Sequence, residues 1–511
     1  DPRWLVMPPR TLEGPPRDEY LAWMNWVQSG VNKWMARATQ VVRDHGMRTW
    51  LYWGDTHVGA EPFLGGLEAG RVDEVDKPAG DPVTARALVD FPGDPYRRLQ
   101  VDWLHDHVVG QPSASAALRS KWDRCKRGLL MAPVPGVYWM PMPNLTGQPA
   151  EAIREAGVGT LADISDEFRL IGRNLSGQRA YEGGLNLYVV HSWGKQYSWR
   201  PWGSRVLWHL TDLPVRVRFI SFREVIADGV PDDAHCLFLY GGAGSAWSGG
   251  PIWQAERLAQ AIEGFVRGGG GLVGLQAPSH VENPEPHWAL SHVFGLVGEG
   301  ASSYDPAVGV SLSGDEAVDE EALAAAAAES GLSLVAVAGA WPGPPVPSFV
   351  PGMAGTVRAS AVADGVNVVY ALRDGEGMSL GAVTREVGEG RAAWLCGYSS
   401  DYGFSRLVRS AIFWAAAREG EAARLDVTGG ENLFIYAYPD SQTIVLFSAA
   451  SDSAEATVRC APEILGLAEG SRCRVVDIAT GETLATGADL AQGLTVTAVP
   501  HCARLLRVVA E

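Results

Sequence analysis

The sequence predicts an α/β protein in three parts: a leading run of β/α units, a doubly wound α/β domain in the middle and a small β-sandwich at the end. Three features of the 511 residues predict it. Strand-sized apolar runs alternate with 3.6-residue helical periodicity up to about residue 147 and again from 186 to 425. A Gly-rich link, Tyr181-Glu-Gly-Gly184, lies where the composition changes between those two stretches. From Asp426 the periodicity gives way to short strands separated by turns. The boundaries that follow are 1–147 for the β/α units, 148–185 for a connecting helix and linker, 186–425 for the central domain and 426–511 for the sandwich.

The first helix is expected from Glu19 to His45, with Leu21, Met24, Val27, Val31, Trp34, Met35, Ala38, Val41 and Val42 on one recurrence and Gly46 as its stop. It leads into the strand-like run Arg48 to Trp53. Ala85 to Val89 and Val134 to Met140 read as the next strands, the latter after a basic helix around Ser120 to Met131, and Asp163 to Leu175 reads as a further helix. In the central domain the expected strands are Leu187 to His191, Val215 to Ile220, Cys236 to Tyr240 and Leu272 to Leu275. The helix Ala255 to Val266 precedes the last of these, closed by Gly268 to Gly271. An Ala-rich helix, Glu320 to Glu329, and a Pro/Gly loop, Trp341 to Pro351, read as an insertion. The strand Ala392 to Cys396 and the helix Ser405 to Ala417 then return to the sheet. Leu433 to Tyr438, Thr443 to Phe447 and Ala503 to Val509 are strands of the sandwich.

Composition narrows the function. Lys+Arg number 42 against 59 Asp+Glu, a net charge of −17, which disfavours nucleic-acid or anionic-membrane binding through basic patches. No run of about 20 apolar residues exists to cross a bilayer. The six cysteines, Cys125, Cys236, Cys396, Cys460, Cys473 and Cys502, are scattered without C-x-x-C spacing, so reduced cytoplasmic thiols are expected rather than a zinc site or disulfide framework. Thirteen of the 19 tryptophans precede residue 210; that enrichment fits either a sugar-stacking cleft or an ordinary core. Neither Gly241-Gly-Ala-Gly244 nor Gly268 to Gly271 is a G-x-G-x-x-G turn opening a helix, so no nucleotide cradle is read from them.

Polar chemistry gathers in Gly54-Asp55-Thr56-His57-Val58-Gly59-Ala60-Glu61-Pro62, a loop after an apolar strand, which in an α/β barrel is the catalytic face. Without further context Asp55 is equally a loop carboxylate capping the next helix. His105 and His107 are a metal pair by type but lack a third ligand at a convincing spacing, so no metal is expected.

Together with Trp50 to Phe63, three runs carry a resemblance: Val190-His-Ser-Trp-Gly-Lys-Gln-Tyr-Ser-Trp199, Arg218-Phe-Ile-Ser-Phe222 and Gly241-Gly-Ala-Gly-Ser-Ala-Trp-Ser-Gly-Gly250. Ala162 to Ile171 and Gly397 to Leu407 fall in the same order. These segments resemble glycoside hydrolase family 112, the galactosyl phosphorylases acting on galactosyl-β-1,3-N-acetylhexosamines and galactosyl-β-1,4-rhamnose, as a remote member. The resemblance covers most of the chain and weakens over 300–380 and after Ala450. It implies the C-terminal part of a (β/α)8 TIM-like barrel, then a class I amidotransferase-like doubly wound domain, then the β-sandwich. The chain then begins inside the barrel, and the 511 residues alone are expected to be incomplete as an enzyme.

The resemblance further implies inverting phosphorolysis of a β-galactoside disaccharide to α-galactose 1-phosphate and a free sugar. Asp55 matches the family's general acid. Inorganic phosphate is the co-substrate and no cofactor is implied. Arg98 of Arg98-Leu-Gln-Val-Asp102 matches the phosphate-binding Arg of an Arg-x-x-Pro-Tyr run, but Val101 replaces the Pro and Asp102 the Tyr. A carboxylate beside phosphate repels it, whereas an acid Asp55 with a base Asp102 is the pair of an inverting hydrolase. That β-galactoside hydrolase is the alternative, and a non-catalytic carbohydrate-binding relative is a second. His57 and Glu61 are candidate substrate contacts. The expected partners are a small carbohydrate and phosphate, with no nucleic acid and no membrane; the resemblance implies a homodimer. An amidotransferase activity for the central domain rests on fold alone and lacks a Cys at a nucleophile elbow, since Cys236 begins a strand.

Overall fold

In this computed structural model the residues described are 18–52, 72–78, 82–89, 96–101, 114–131, 133–134, 136–139, 158–197, 199, 205–281, 287–297, 331–357, 359, 361–373 and 377–511. The expected helix Glu320 to Glu329 lies outside them.

Helix α1 (Asp18–Asp44) ends in a Schellman cap. Gly46 takes φ +72°, its N–H donates to Arg43 O at 2.8 Å, and Met47 N–H donates to Val42 O at 3.1 Å. The strands β1 (Trp50–Tyr52), β2 (Glu74–Pro78), β3 (Tyr96–Val101) and β4 (Gly136–Trp139) form a four-stranded parallel sheet in sequential order. Helices α2 (Pro82–Val89) and α3 (Ala114–Met131) lie between strands, as right-handed β/α crossovers require. Two differences from expectation appear here. Ala85 to Val89 is the second half of α2 rather than a strand: Pro82 opens the helix where its missing N–H costs nothing, and eight residues are too few for the period to declare itself. The charged runs Glu74–Pro78 and Tyr96–Val101 are strands although their composition gives little strand signal.

After α4 (Val158–Leu175) a nine-stranded sheet begins. Its parallel strands are β5 (Asn186–His191), β6 (Arg216–Ser221), β7 (Cys236–Leu239), β8 (Gly271–Leu275) and, later in the chain, β13 (Gly390–Leu395). They lie in the order β6-β5-β7-β8-β13, the flavodoxin-like 2-1-3-4-5 arrangement. The segment read as an insertion adds antiparallel strands to the same sheet: β9 (Ser333–Ala336), β10 (Phe349–Val350), β11 (Asn367–Arg373) and β12 (Met378–Val387). The central sheet is therefore mixed rather than purely parallel.

Helix α5 (Phe222–Asp228) starts from a capping box in which Ser221 Oγ accepts from Glu224 N–H at 3.1 Å and Glu224 Oε2 accepts from Ser221 N–H at 2.7 Å. Helix α6 (Glu256–Arg267) buries Leu258, Ile262 and Val266, and α7 (Tyr402–Ala415) is buried along most of its length. The glycines that open β8 and β13 serve close packing. A Cβ on Gly271 would stand 2.6 Å from the Ala415 carbonyl of α7, and one on Gly390 would stand 2.0 Å from Val266 O.

The C-terminal part has two antiparallel sheets. One joins β14 (Leu425–Thr428), β17 (Ala454–Cys460) and β20 (Leu494–Ala498). The other runs β15 (Leu433–Tyr438), β16 (Thr443–Ser448), β21 (Cys502–Ala510), β18 (Cys473–Asp477) and β19 (Thr483–Ala488). Leu433, Ile435, Ala437, Ile444, Leu446, Leu506 and Val508 of the larger sheet pack toward the smaller one. The alternate residues, Phe434, Tyr436, Tyr438, Val445, Phe447, Ala503 and Leu505, share a core with Trp122, Leu129, Phe168 and Ile171 of α3 and α4. Both faces are covered, which is why β15 and β16 are buried at every residue.

Replacing Phe447 with Ala should cost about 3–5 kcal/mol and loosen α3 and α4 along with the sheet, because the side chain lies on the shared face. Leu506→Ala, on the opposite face, should cost about 2–5 kcal/mol with the loss of protection confined to the C-terminal sheets. Urea unfolding combined with hydrogen exchange separates the two patterns.

Candidate functional site

All four strands of the first sheet point the same way, so one edge collects their carboxyl ends: Tyr52, Pro78, Val101 and Trp139. In β/α barrels chemistry sits at that edge. Asp55, His57 and Glu61 follow β1 in sequence, and Asp102 directly follows β3. All four lie outside the described residues, as do His105 and His107.

Arg98 is described. It is the third residue of β3, in register with Asp76 of β2 and Gly136 of β4. Its Nη2 lies 3.1 Å from Oε2 of Glu74, the first residue of β2, and Oε1 of the same carboxylate takes Arg48 Nη2 at 3.2 Å. The guanidinium therefore reaches toward the amino ends of the strands, and three residues of strand, about 10 Å, separate its backbone from the carboxyl end. In this geometry Arg98 ties β2 to β3 and is not brought to the edge that precedes Asp55 and Asp102.

The amino edge carries a second polar group. Asp73 Oδ2 accepts from Thr49 N–H at 2.7 Å and from the Thr49 hydroxyl at 2.6 Å, while Thr49 Oγ1 accepts from Asp73 N–H at 2.9 Å. These bonds, the hydroxyl's first, with Arg43 Nη2 at 3.0 Å, hold the Asp73 carboxyl down at about 2. In β/α barrels the amino end serves stability rather than chemistry, and these contacts pin α1 and the start of β1 to β2.

The central domain has its own carboxyl edge, where the strand order reverses between β5 and β7. His191, the last residue of β5, is fully buried; its Nδ1 accepts from the N–H groups of Trp193 and Gly194 at 3.1 and 3.2 Å. Burial drives its pKa to about 3, so the ring is neutral and its proton sits on Nε2. Gln276 and Ser279, after β8, hold φ of +64° and +70°, a concentration of strained backbone that no sequence signal marked. No cysteine thiolate accompanies it among the described residues. Burial pushes the Cys236 thiol far up and that of Cys396 up to about 12, so neither supplies the thiolate an amidotransferase needs. Among the described residues no cluster of three His, Cys, Asp or Glu is arranged to hold a metal, and no helix is long and apolar enough to cross a membrane. No two of the six cysteines are joined.

Two protein-family models match the chain. The lacto-N-biose phosphorylase N-terminal TIM barrel domain matches residues 11–182, and the lacto-N-biose phosphorylase central domain matches residues 186–305. The chain belongs to the lacto-N-biose phosphorylase family. A 1,3-β-galactosyl-N-acetylhexosamine phosphorylase of Lachnoclostridium phytofermentans is 26% identical over 427 residues, covering 80% of this chain and 54% of that protein. The enzyme of the same name from Bifidobacterium longum subsp. longum is 25% identical over 442 residues, 80% of this chain and 56% of that one. A D-galactosyl-β-1→4-L-rhamnose phosphorylase of L. phytofermentans is 22% identical over 307 residues, 55% of this chain and 41% of that protein. The chain spans about half the length of the first two relatives.

The depressed Asp73 carboxyl gives a pH signature. A group whose folded pKa lies below its unfolded value of about 4 stabilises the fold above that value and loses the contribution as pH falls through the folded pKa. Asp73→Asn should therefore lower the urea midpoint at pH 7, and the gap from the unsubstituted protein should close between about pH 4 and pH 2.

Proposed function

We propose that this chain acts in the inverting phosphorolysis of a β-galactoside disaccharide, releasing α-galactose 1-phosphate and a free sugar. The observation that carries the reading is the parallel sheet β1-β2-β3-β4, whose carboxyl edge is followed directly in sequence by Asp55 and Asp102. The similarity to galactosyl phosphorylases over 80% of the chain supports it. The four sequential parallel strands are, in this reading, the later part of a (β/α)8 barrel.

Phosphate enters already ionised, so it attacks the anomeric carbon from the face opposite the leaving group without a protein base. Asp55 gives its proton to the departing glycosidic oxygen as that bond breaks, and the anomeric configuration inverts. For this the carboxyl must be protonated near neutral pH, a state that loss of hydration favours in any carboxyl. His57 and Glu61, in the same run of sequence, are the candidate sugar contacts. Arg98 is the candidate phosphate grip through its two-point guanidinium, and to serve there it has to leave Glu74.

The hydrolase alternative draws on one specific feature. The carboxyl ends of β1 and β3 are two strand spacings apart, about 9–10 Å, and an inverting acid and base are set about 6.5–9.5 Å apart. Asp102 would then activate water in place of phosphate.

The gene product should be incubated with galactosyl-β-1,3-N-acetylglucosamine and galactosyl-β-1,4-rhamnose, with and without phosphate, and followed by anomer-resolved proton NMR. Phosphate-dependent α-galactose 1-phosphate supports phosphorolysis; free α-galactose without phosphate transfers the reading to the hydrolase. No turnover of either sinks both and leaves a carbohydrate-binding relative. Asp55→Asn should lower kcat/KM about 10²–10⁴-fold, and much less for a galactoside whose leaving group needs no proton. Arg98→Ala should raise the KM for phosphate while costing at most ~1 kcal/mol of stability; an unchanged phosphate KM removes Arg98 from the site.

A further inference from the structure

A cluster of titratable side chains used by none of the chemistry above is buried where α3 and α4 meet the turn into β21. The Lys126 ammonium is 1% exposed. It lies 2.9 Å from Glu167 Oε2 and 3.6 Å from Asp123 Oδ1, and it donates to the His501 carbonyl oxygen. Asp123 Oδ2 stands 2.5 Å from His501 Nδ1, and Glu167 Oε1 accepts from Ala503 N–H at 2.6 Å. Asp123 Oδ1 is buried and has no hydrogen-bond partner.

Every one of these contacts except Lys126 with Glu167 and Asp123 crosses from the helices to the C-terminal sheet. The other charges facing the cluster from neighbouring elements are already matched: Arg504 holds Asp477 at 2.7 Å, and Arg127 holds Asp212. Cys502 adds a thiol that burial pushes up to about 11. The carboxylates of Asp123 and Glu167 therefore outnumber the Lys126 ammonium by one in a site nearly closed to water. An uncompensated buried charge is expensive, and one added proton removes it.

We propose that docking of the C-terminal sheet onto α3 and α4 takes up one proton, shared between Asp123 and Glu167 around Lys126, so that this contact tightens as the pH falls from 8 toward 5. Burial acts on both carboxyls in the same sense, raising Asp123 and Glu167 against the pull of Lys126. The sign follows. An acid whose folded pKa lies above its unfolded value contributes stability that is present below the unfolded value of about 4 and lost as pH rises through the folded one. The two carboxyls face one ammonium, and uptake of a single proton changes the docking equilibrium by at most about tenfold per pH unit.

The test compares the unsubstituted protein with Asp123→Asn and Glu167→Gln, each of which leaves one carboxylate against one ammonium. Hydrogen exchange of α4 and β21 amides, Ala503 included, is measured at pH 5, 6, 7 and 8 and corrected for intrinsic exchange. Urea midpoints are taken at the same four values. Protection in the unsubstituted protein relative to either variant should climb toward pH 5, by up to about tenfold per unit, because only the unsubstituted cluster carries the excess charge at high pH. A ratio constant across the four pH values, or one falling toward pH 5, overturns the proposal. Should Asp123→Asn fail to fold, Glu167→Gln removes the same excess charge from the other carboxylate and decides the question alone.

Discussion

Burial of the larger C-terminal sheet on both of its faces is the constraint from which the rest of the architecture follows. A small sandwich usually turns one face of each sheet to water and reads as alternating apolar and polar residues. Here Tyr436 and Phe447 look toward the helices of the first part, while Ile435 and Leu446 look into the sandwich. Helices α3 and α4 consequently have a second partner besides the parallel strands they connect. Tyr438, whose hydroxyl donates to Leu130 O at the end of α3, and Tyr181, whose N–H donates to Ala437 O at 2.8 Å, fasten the same seam with polar bonds. Buried hydroxyls and amides accept such a position only when satisfied, so these bonds specify register as well as adding stability.

The central domain is tied in as well. Arg86 of α2 lies 5.3 Å from the Trp199 ring and 2.6 Å from Glu182 Oε1, and Tyr20 of α1 meets Trp193 edge-on at 5.7 Å. Arg127 of α3 pairs with Asp212 of the central domain, which also accepts from the Tyr436 hydroxyl of the C-terminal sheet. A guanidinium, a carboxylate and a phenol from three parts of the chain thus share one buried site. Removing any one of them leaves a charge or a polar group without its partner, which is costlier than the pair's net worth.

How much of this the sequence disclosed depended on the range of the interaction involved. Helix α1 and its Gly46 cap were legible because periodicity and stop signal lie within one segment. The parallel central strands were legible because burial on both faces makes Val189, Val190, Leu237 and Phe238 continuous apolar runs. β2 and β3 were not, because their sequences, Glu-Val-Asp-Lys-Pro and Tyr-Arg-Arg-Leu-Gln-Val, are rich in charge, and the pairing of Glu74 with Arg98 across the two strands is not visible locally. Arg98 is the instructive residue. Its type and spacing match a phosphate grip, yet what it touches is fixed by the register that sets it beside β2 and within reach of Glu74, which no local reading contains. Asp55, matched to the family motif, and Asp102, a departure from it, lie outside the described residues, and topology gives the strand ends that precede them in sequence. The four antiparallel strands from β9 to β12 were missed because Gly, Pro and Ala dominate their surroundings.

The three-part junction at Asp212 also has a mechanical meaning. Multidomain enzymes commonly admit substrate by swinging one rigid body about a hinge, and a hinge needs a line across which few contacts run. No such line passes between α3 and its two neighbours: an apolar core, Tyr438 with its backbone acceptor and the Arg127 pair all span it. The parts are joined as one block, so a hinge between α3 and its two neighbours is not available to open or close the carboxyl edge of the first sheet.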